Sequence, residues 1–457
     1  MFHGRRLACH PAGGGSVFPN NLDRSQYPLR TRFWGVLIGT LVMVAASATL
    51  VTPGTLEVTL PLCIAGMLAA TIARKSYWSL VPEISQGALV AVAFLVLSMI
   101  SALWAAHPYE SIGWAMISFS AFLGCGVAAR FLLGEQRRNI FHISEGLWVG
   151  IAAGLIYLAA EILTHQAIKI GLYNALHLSP ADLRPRQHFT WNDGVLVAIS
   201  PLDLTRNIAP IPLYIWATLL AIRGTTSGSM VRTLSCFVFV LSAAVVMISE
   251  NETAKFAMVA GAGVFVLARS KPQWSLRMLQ AGWVTVCLAI IPISLALYRM
   301  NLHNAPWLQP TAQHRVIIWN RVSEETMKSP LLGIGAGMTY WNFDGSPAPK
   351  EGEMYTRYSR DAHNVFLQTW FELGVGGAAL LALIGLAVLQ RIKRLGTAMA
   401  PYGYATFSSA TVTLASSWGM WRIWFVYMFA FAVVIFAIAV RAGIRSERTR
   451  GLPHVLG

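Results

Sequence analysis

Charge is what this sequence has least of. Only 12% of its 457 residues are Asp, Glu, Lys or Arg, about half of the roughly 25% usual in soluble domains. The short apolar runs, turn clusters and amphipathic alternation of a soluble α/β domain are also missing. Together these absences exclude an ordinary soluble fold. Cysteine is scarce too: Cys63, Cys125, Cys236 and Cys287 lie inside apolar stretches and Cys9 in the N-terminal tail. That leaves no readable disulfide framework and no CxxC metal site. No small-residue cleavage signal follows promptly on the polar, Gly-rich first 32 residues, so the first helix is expected to be retained. No internal repeat is visible, and low-complexity sequence is confined to that tail.

What the sequence has in abundance is apolar length. It is 55% hydrophobic, and apolar runs of 17–20 residues recur along nearly all of it. Each run can cross about 30 Å of hydrocarbon at about 1.5 Å per helical residue. The expected fold class is all-α, a polytopic integral membrane protein of about twelve transmembrane helices. Spans are expected near 33–52, 56–73, 86–104, 111–130, 146–164, 206–223, 232–249, 253–268, 279–297, 366–389, 400–418 and 422–441. Pro61, Pro210, Pro212 and Pro292 fall near or inside them, which membrane helices tolerate where neighbours satisfy the freed carbonyls.

The formal net charge of +15 does not point to nucleic acid. No basic stripe with interleaved aromatics sits on a soluble module, so no nucleic-acid partner is expected. The basic residues instead alternate with the spans. Every second connection is basic, among them Arg74 with Lys75, Arg130 with Arg137 and Arg138, Arg223 with Arg232, and Arg391 with Lys393. Both termini fall on that side, which the positive-inside rule makes cytoplasmic. The expected organisation is a cytoplasmic tail over 1–32 and nine spans over 33–297 with an outer loop at 165–205. A large periplasmic catalytic loop over 298–365, three further spans over 366–441 and a cytoplasmic tail over 442–457 follow. The setting implied is the bacterial inner membrane, with membrane lipid as a partner.

The two long outer connections carry basic residues that topology does not require: Lys169, Arg184, Arg186, Arg299, Arg315, Arg321, Lys328, Lys350, Arg357 and Arg360. Positive charge at the outer mouth of a bundle suits an anionic ligand, and phosphate matches arginine's planar fork. Contact with anionic lipid headgroups would account for any one of them, but less well for the group.

Residues 313–377 carry the candidate chemistry. Over 313–328 the spacing is helical, with Val316, Trp319 and Val322 on one stripe and Arg315 projecting away. Ser329-Pro330 ends it, and Gly333-Ile334-Gly335-Ala336-Gly337 forms a turn. Such a turn can cradle phosphate on its backbone N–H groups, or simply re-enter the membrane boundary. His363 precedes the tenth span, where a histidine can act as a base near neutral pH. A lone histidine is more often structural. This one shares its loop with Arg315, Arg360 and Asp361, and Glu372 follows on the same helix.

This segment resembles the O-antigen ligase and polymerase family, whose shared region has an R-x-x-x-W helix, an S-P-L-x-G-x-G turn and an H-N-x-x-L-Q-x-x-x-E-x-G-x-x-G helix start. Here these are Arg315 to Trp319, Ser329 to Gly335, and His363, Asn364, Leu367, Gln368, Glu372, Gly374 and Gly377. Thr205-Arg206-Asn207 and the run from Ser249 to Lys255 also look like the family, the latter loosely. The resemblance implies transfer of a glycan from an undecaprenyl-diphosphate carrier to a hydroxyl acceptor on the periplasmic face, without a cofactor. It implies His363 and Arg315 as catalytic residues. Arg206, Lys255 and Arg360 would bind the diphosphate, and Asn364, Gln368 and Glu372 would support them. Attack opposite the diphosphate would invert the anomeric centre.

The overall spacing is more similar to ligases, which use a lipid A-core sugar as acceptor, than to polymerases, which extend another carrier-linked repeat. Metal-dependent membrane glycosyltransferases need acidic residues in an early outer loop. Here the first outer connection is short with only Glu57 nearby, and Asp182, Asp193 and Asp203 lack D-x-D spacing, so the expectation is metal-independent. A transporter of the same lipid-linked sugars would place charge and broken helices near the midplane, in repeated halves. Residues Asp344 to Asp361 do not align with the family, which leaves Arg357 and Arg360 less determined than Arg315 and His363.

Overall fold

The computed structural model describes residues 27–76, 85–183, 188–342 and 361–449. It is all-α apart from one hairpin, in line with the composition. In chain order the helices are α1 (Tyr27–Val51), α2 (Leu56–Ala73), α3 (Gln86–Ile100), α4 (Pro108–Gly134), α5 (Arg137–Leu163) and α6 (Ala167–Ala175). After the hairpin of β1 (Phe189–Asn192) and β2 (Val195–Ile199) come α7 (Thr205–Ile208), α8 (Ile211–Thr225), α9 (Gly228–Ile248), α10 (Glu252–Ser270) and α11 (Pro272–Arg299). The last five are α12 (Pro310–Thr326), α13 (Thr339–Asn342), α14 (Val365–Lys393), α15 (Gly396–Ser416) and α16 (Ile423–Thr449).

Among the described residues ten helices are long and apolar enough to cross a membrane. An eleventh results if Pro201–Ile208 and Ile211–Thr225, bent by 44° at their break, count as one span. The sequence expectation of twelve included 400–418. That stretch is helical, as α15, but falls short of the apolar standard the other spans meet. Packing explains its composition. Met399 to Ala405 are buried, and so are Phe407, Ser408, Ser409 and Thr413, because α15 lies against α10 and α8. A helix enclosed by helices need not be apolar all round if its hydroxyls find partners. Ser409 Oγ does: it accepts from Trp216 Nε1 at 3.1 Å and donates to the Ala257 carbonyl at 2.9 Å.

The inverse pattern marks the periphery. Val240 and Ile248 on α9, with Phe256 and Val266 on α10, are 63–68% exposed. In water that would be an aggregation surface; around a bundle of this length it is the hydrocarbon-facing side. At the centre stands α8, buried from Ile211 through Ile222 and surrounded by α16, α15, α5 and α9.

The two ends of the bundle differ. At the basic end the Glu135 carboxylate, 3% exposed, accepts from Arg74 Nη1 at 2.7 Å and Asn139 Nδ2 at 3.0 Å. Its carbonyl accepts from Arg441 Nε and Nη2 at 3.0 and 2.7 Å. Some topogenic arginines thus also clamp α2, α5 and α16 together.

At the other end the long connections are folded structures. In the first, Lys169 is spent on an ion pair with Asp203, and Asn174 exchanges two hydrogen bonds of 2.9 Å with the backbone of Leu196. Lys169 is therefore a strut of this loop rather than the anion contact its charge suggested. Arg184, Arg186, Lys350, Arg357 and Arg360 lie outside the described residues. In the second connection α12 forms where helical spacing predicts it and packs on α11 and α14.

Candidate functional site

Five segments meet at the loop-bearing end, and short contacts link each to the next. Asn207 Nδ2 donates to the Leu50 carbonyl at 3.1 Å, fixing α7 to the end of α1. Asn251 caps α10 through Oδ1 to Ala254 N at 2.9 Å, while its Nδ2 reaches the Thr205 carbonyl at 2.7 Å. Arg315 Nη1 on α12 donates to Thr253 Oγ1 at 3.4 Å, and Thr253 in turn donates to the Ser416 carbonyl at 2.9 Å. Trp319, one turn on from Arg315, donates from Nε1 to the Ala362 carbonyl at 3.0 Å. The spacing R-x-x-x-W therefore puts a cation and a pin on one face of α12, and the pin holds the turn that carries His363.

That turn is tightly specified. Asn364 caps α14, accepting from Leu367 N at 3.0 Å. His363 just before it has φ of +50°, a left-handed conformation that costs a non-glycine residue energy and persists only where surroundings enforce it. Its N–H donates to Asp361 Oδ1 at 3.1 Å. Its ring nitrogen Nδ1 lies 2.9 Å from the Ser417 carbonyl and 3.4 Å from Asp361 Oδ1. A carbonyl and a carboxylate can only accept, so in the neutral ring the hydrogen sits on Nδ1. Nε2 then holds the lone pair. This is how a base is oriented, with one nitrogen tied to an acceptor and the other left to take a proton.

Asp361, whose side chain is 4% exposed, stands between cations. Its Oδ2 accepts from Arg422 Nε at 3.0 Å and forms an ion pair with Arg422 Nη2, also at 3.0 Å. Burial lowers the Arg315 guanidinium from its ordinary pKa, and the Asp361 charge opposes that shift. Arg206, an exposed residue, lies with its guanidinium carbon 5.9 Å above the Trp424 ring and is repelled by Arg422. Lys255 is paired with Glu252 at 2.8 Å on the first turn of α10.

Arg315, Asp361, His363 and Arg422 are thus one cluster with Arg206 beside it. Lys255 borders the cluster through its neighbour Thr253 but is already neutralised. Arg360, expected to bind the donor, lies outside the described residues. Among the described residues no group of three or more His, Cys, Asp or Glu could hold a metal ion.

The glycine turn corrects an expectation. Every backbone N–H from Gly333 to Thr339, read in the sequence as a possible phosphate cradle, is spent inside the protein. Ile334 and Gly335 donate to the carbonyls of Phe371 and Glu372 at 3.0 and 2.9 Å. Ala336 donates to Ser101 Oγ at 2.9 Å, and Gly337 and Thr339 donate to the Glu372 carboxylate at 2.8 and 3.2 Å. Gly333 and Met338 close onto Ser329 and Gly335. The turn is a clasp and offers no donors to a ligand. It closes on a break in α14 at Gly374, whose φ of 62° and ψ of −159° are non-helical. A Cβ there would lie 2.2 Å from the Leu331 carbonyl oxygen, so only glycine fits.

Glu372, fully buried, organises what surrounds the clasp. Besides Gly337 and Thr339 N, it accepts from Thr339 Oγ1 at 2.5 Å, Gln368 Nε2 at 2.9 Å and Trp421 Nε1. Gln368 also accepts from Met420 N at 3.1 Å. The carboxylate therefore joins α14, the clasp and the turn over 417–422. That turn supplies Ser417 to His363 and Arg422 to Asp361.

Arg422, Ser417, Trp421 and the central place of Asp361 lie outside what the sequence led us to expect. Arg422 had a detectable signal. It falls at the loop-bearing end of a span, the end opposite the one where the positive-inside rule gathers the basic connections. Ser417 acts through its carbonyl and carries no signal at all. A cavity of about 400 Å³ opens beside the cluster, bounded by the first turn of α4, by α13 and by residues 419–424.

Residues 237–382 match the family described as O-Antigen ligase. The match takes in Thr253, Lys255, Arg315, the clasp, Asp361, His363 and Glu372, and leaves out Arg206 and the turn over 417–422. The chain is also similar to proteins named "Putative polysaccharide ligase". One from Rickettsia conorii is 23% identical over 245 residues, which is 53% of this chain and 59% of that protein's length. Another from Rickettsia prowazekii is 22% identical over 357 residues, 77% of this chain and 80% of the relative. A third, from Rickettsia typhi, is 21% identical over 356 residues with the same coverage. The comparisons support the resemblance drawn from the motifs: over the region that holds His363 and Arg315, this polytopic membrane protein is similar to the O-antigen ligase family.

Proposed function

We propose that the chain is an inner-membrane glycosyltransferase that moves a glycan from undecaprenyl diphosphate to a hydroxyl of a lipid A-core sugar. Both termini would be cytoplasmic and the site periplasmic, with His363 and Arg315 as catalytic residues. His363 Nε2 takes the proton of the acceptor hydroxyl, and the oxygen attacks the anomeric carbon. The bond from that carbon to the diphosphate oxygen breaks, and its electron pair leaves with the diphosphate. The proton passes from His363 to water. Attack opposite the leaving group inverts the anomeric centre.

Arg315 and Arg206 counter the charge gathering on the diphosphate, which in a water-poor site is worth several kcal/mol, on the order of 10²–10³ in rate for one donor. Base action by a positioned histidine contributes on the order of 10²–10⁴. Asp361 steadies the imidazolium formed in between, and Arg422 steadies Asp361. The polyprenyl chain would lie along the apolar flank of the bundle, with the sugars facing water. No step calls for a metal ion.

The observation that carries this reading is the ring of His363, tied by Nδ1 to the Ser417 carbonyl at 2.9 Å within a cluster of arginines. The test is a lipopolysaccharide gel comparing wild type, a deletion strain, and the deletion complemented with wild type, His363→Ala or Arg315→Ala. The expected result is loss of the whole ladder in the deletion and in both variants. Bare core would remain, and long glycan would collect on the carrier. Core bearing a single repeat would instead mean a polymerase, donor glycan trapped on the cytoplasmic side would mean a transporter, and a full ladder from His363→Ala would remove the mechanism.

A further inference from the structure

The cavity beside Asp361 and Arg422 has walls of an unusual kind for a site that must handle a diphosphate. Trp114 of α4, Tyr340 and Trp341 of α13, and Trp421 and Trp424 from the last turn and α16 line it. Between these rings stand Glu110, Gln368, Asp361 and Arg422. The rings are held in place. Trp341 donates from Nε1 to Glu110 Oε2 at 2.5 Å and packs against His107 with centroids 4.3 Å apart and the rings tilted by 31°. Trp421 is tied to the Glu372 carboxylate.

Three ligand chemistries can be weighed against these walls. A purely anionic ligand would meet two carboxylates, Glu110 and Asp361, which repel it. A purely apolar ligand, such as a prenyl chain, would cut the carboxylates, the amide and the guanidinium off from water and leave their remaining hydrogen-bonding capacity unmet, at a cost for each. A pyranose ring fits both features. Its C–H face lies on an aromatic ring, and its rim of hydroxyls donates to carboxylates and accepts from guanidinium and amide N–H groups. The size agrees, since ligand pockets run from roughly 300 to 1,000 Å³ and this one is about 400 Å³. Rings already fixed by their own hydrogen bonds lose little freedom on binding.

We propose that this cavity is a sugar-ring subsite, in which Trp341 and Glu110 hold a pyranose of the glycan substrate next to His363. It rests on the glycosyltransferase reading above but makes a claim of its own, that sugar binds at these rings whether or not transfer follows. The sugar belongs to the acceptor or to the donor, and two soluble probes separate them: lipid A-free core oligosaccharide, and the repeat glycan released from its carrier.

Binding of each probe to the full-length protein in nanodiscs is measured by isothermal titration for wild type, Trp341→Ala, Trp341→Phe, Glu110→Gln and His363→Ala. The expected result is that one probe binds wild type and weakens about tenfold in Trp341→Ala and in Glu110→Gln. Trp341→Phe, which keeps an aromatic face, should bind within about threefold of wild type. His363→Ala should bind normally while failing to transfer. Whichever probe shows this dependence names the substrate that uses the subsite. Failure of both probes to bind wild type, or undiminished binding in both Trp341→Ala and Glu110→Gln, would overturn the proposal. If sugar binds through Trp341 but wild type transfers none, the glycosyltransferase reading falls and the subsite stands.

Discussion

Arg422 offers the sharpest test of how the cluster works, because it was invisible to motif reasoning and yet holds the residue that holds His363. Replacing it by Gln removes a charge-assisted hydrogen bond and a second ion-pair contact, both of 3.0 Å, to Asp361. Bonds to charged groups are worth about 1.5–3 kcal/mol each, which would set an upper bound of about 6 kcal/mol. The bound is too high here. The Arg422 side chain is 36% exposed, so water replaces part of what is lost, and Arg315 remains within reach of the same carboxylate. A loss of about 2–3 kcal/mol in transition-state stabilisation is expected, a fall in kcat of about 30- to 150-fold. The donor KM should move by less than about threefold, because Arg315 and Arg206, not Arg422, are the proposed diphosphate contacts and Arg422 is already engaged by Asp361.

Asp361→Asn should cost a similar amount. If the two residues act only as a unit that positions His363, the double variant is no slower than the worse single one. The assay is transfer in reconstituted vesicles at saturating donor and acceptor, with thermal melts to verify that each variant is folded. Multiplication of the two single effects, to about 10³–10⁴-fold in the double variant, would refute the chain from Arg422 through Asp361 to His363.

Three further outcomes follow from the same geometry. Arg315→Lys should recover less than about a tenth of wild-type transfer, because an ammonium cannot reproduce the planar two-pronged contact with a diphosphate; full rescue in the same assay would reduce Arg315 to a point charge. Trp319→Phe deletes the 3.0 Å bond to the Ala362 carbonyl and should cost about 1 kcal/mol, roughly a fivefold fall in kcat, with the melt little changed; a wild-type rate would mean the His363 turn needs no pin. Transfer should persist undiminished in excess chelator, and restoration of a chelator-sensitive rate by added divalent cation would count against the metal-independent mechanism.

Much of this fold was legible because the membrane imposes few choices. Each of the twelve expected positions carries a helix, since an apolar run in hydrocarbon has no other way to satisfy its backbone. What the sequence could not show was which of the spans is enclosed by the others. α15 looks like the others by length, yet its buried hydroxyls reflect neighbours that composition does not reveal. The bent pair at Ile208 and Ile211 carried a sign, Pro210 and Pro212, because proline supplies no N–H to a helix. The glycine turn misled for another reason. Glycines at positive φ look the same in a phosphate cradle and in a clasp, and the difference lies in where the N–H groups go. Here they go to Ser101 and Glu372, partners 235 and 35 residues away from the N–H groups they accept. Long-range pairing of that kind leaves no local trace.

This separation changes what the longest motif means. Of its matched positions, Asn364 caps a helix, Gln368 and Glu372 hold the turn over 417–422, and Gly374 makes room for the clasp. All are buried, and each can be essential without meeting a substrate atom. His363 is the exception, at 31% side-chain exposure. A motif built this way fixes one partly exposed imidazole by spending most of its other positions on backbone geometry. Its partners in charge, Arg315, Arg206 and Arg422, come from three other segments. Loss of activity on changing Glu372 therefore says nothing about chemistry unless the melt is unchanged. With five donors converging on one fully buried carboxylate, Glu372→Gln should fail first as a fold, because an amide turns one acceptor into a donor facing donors.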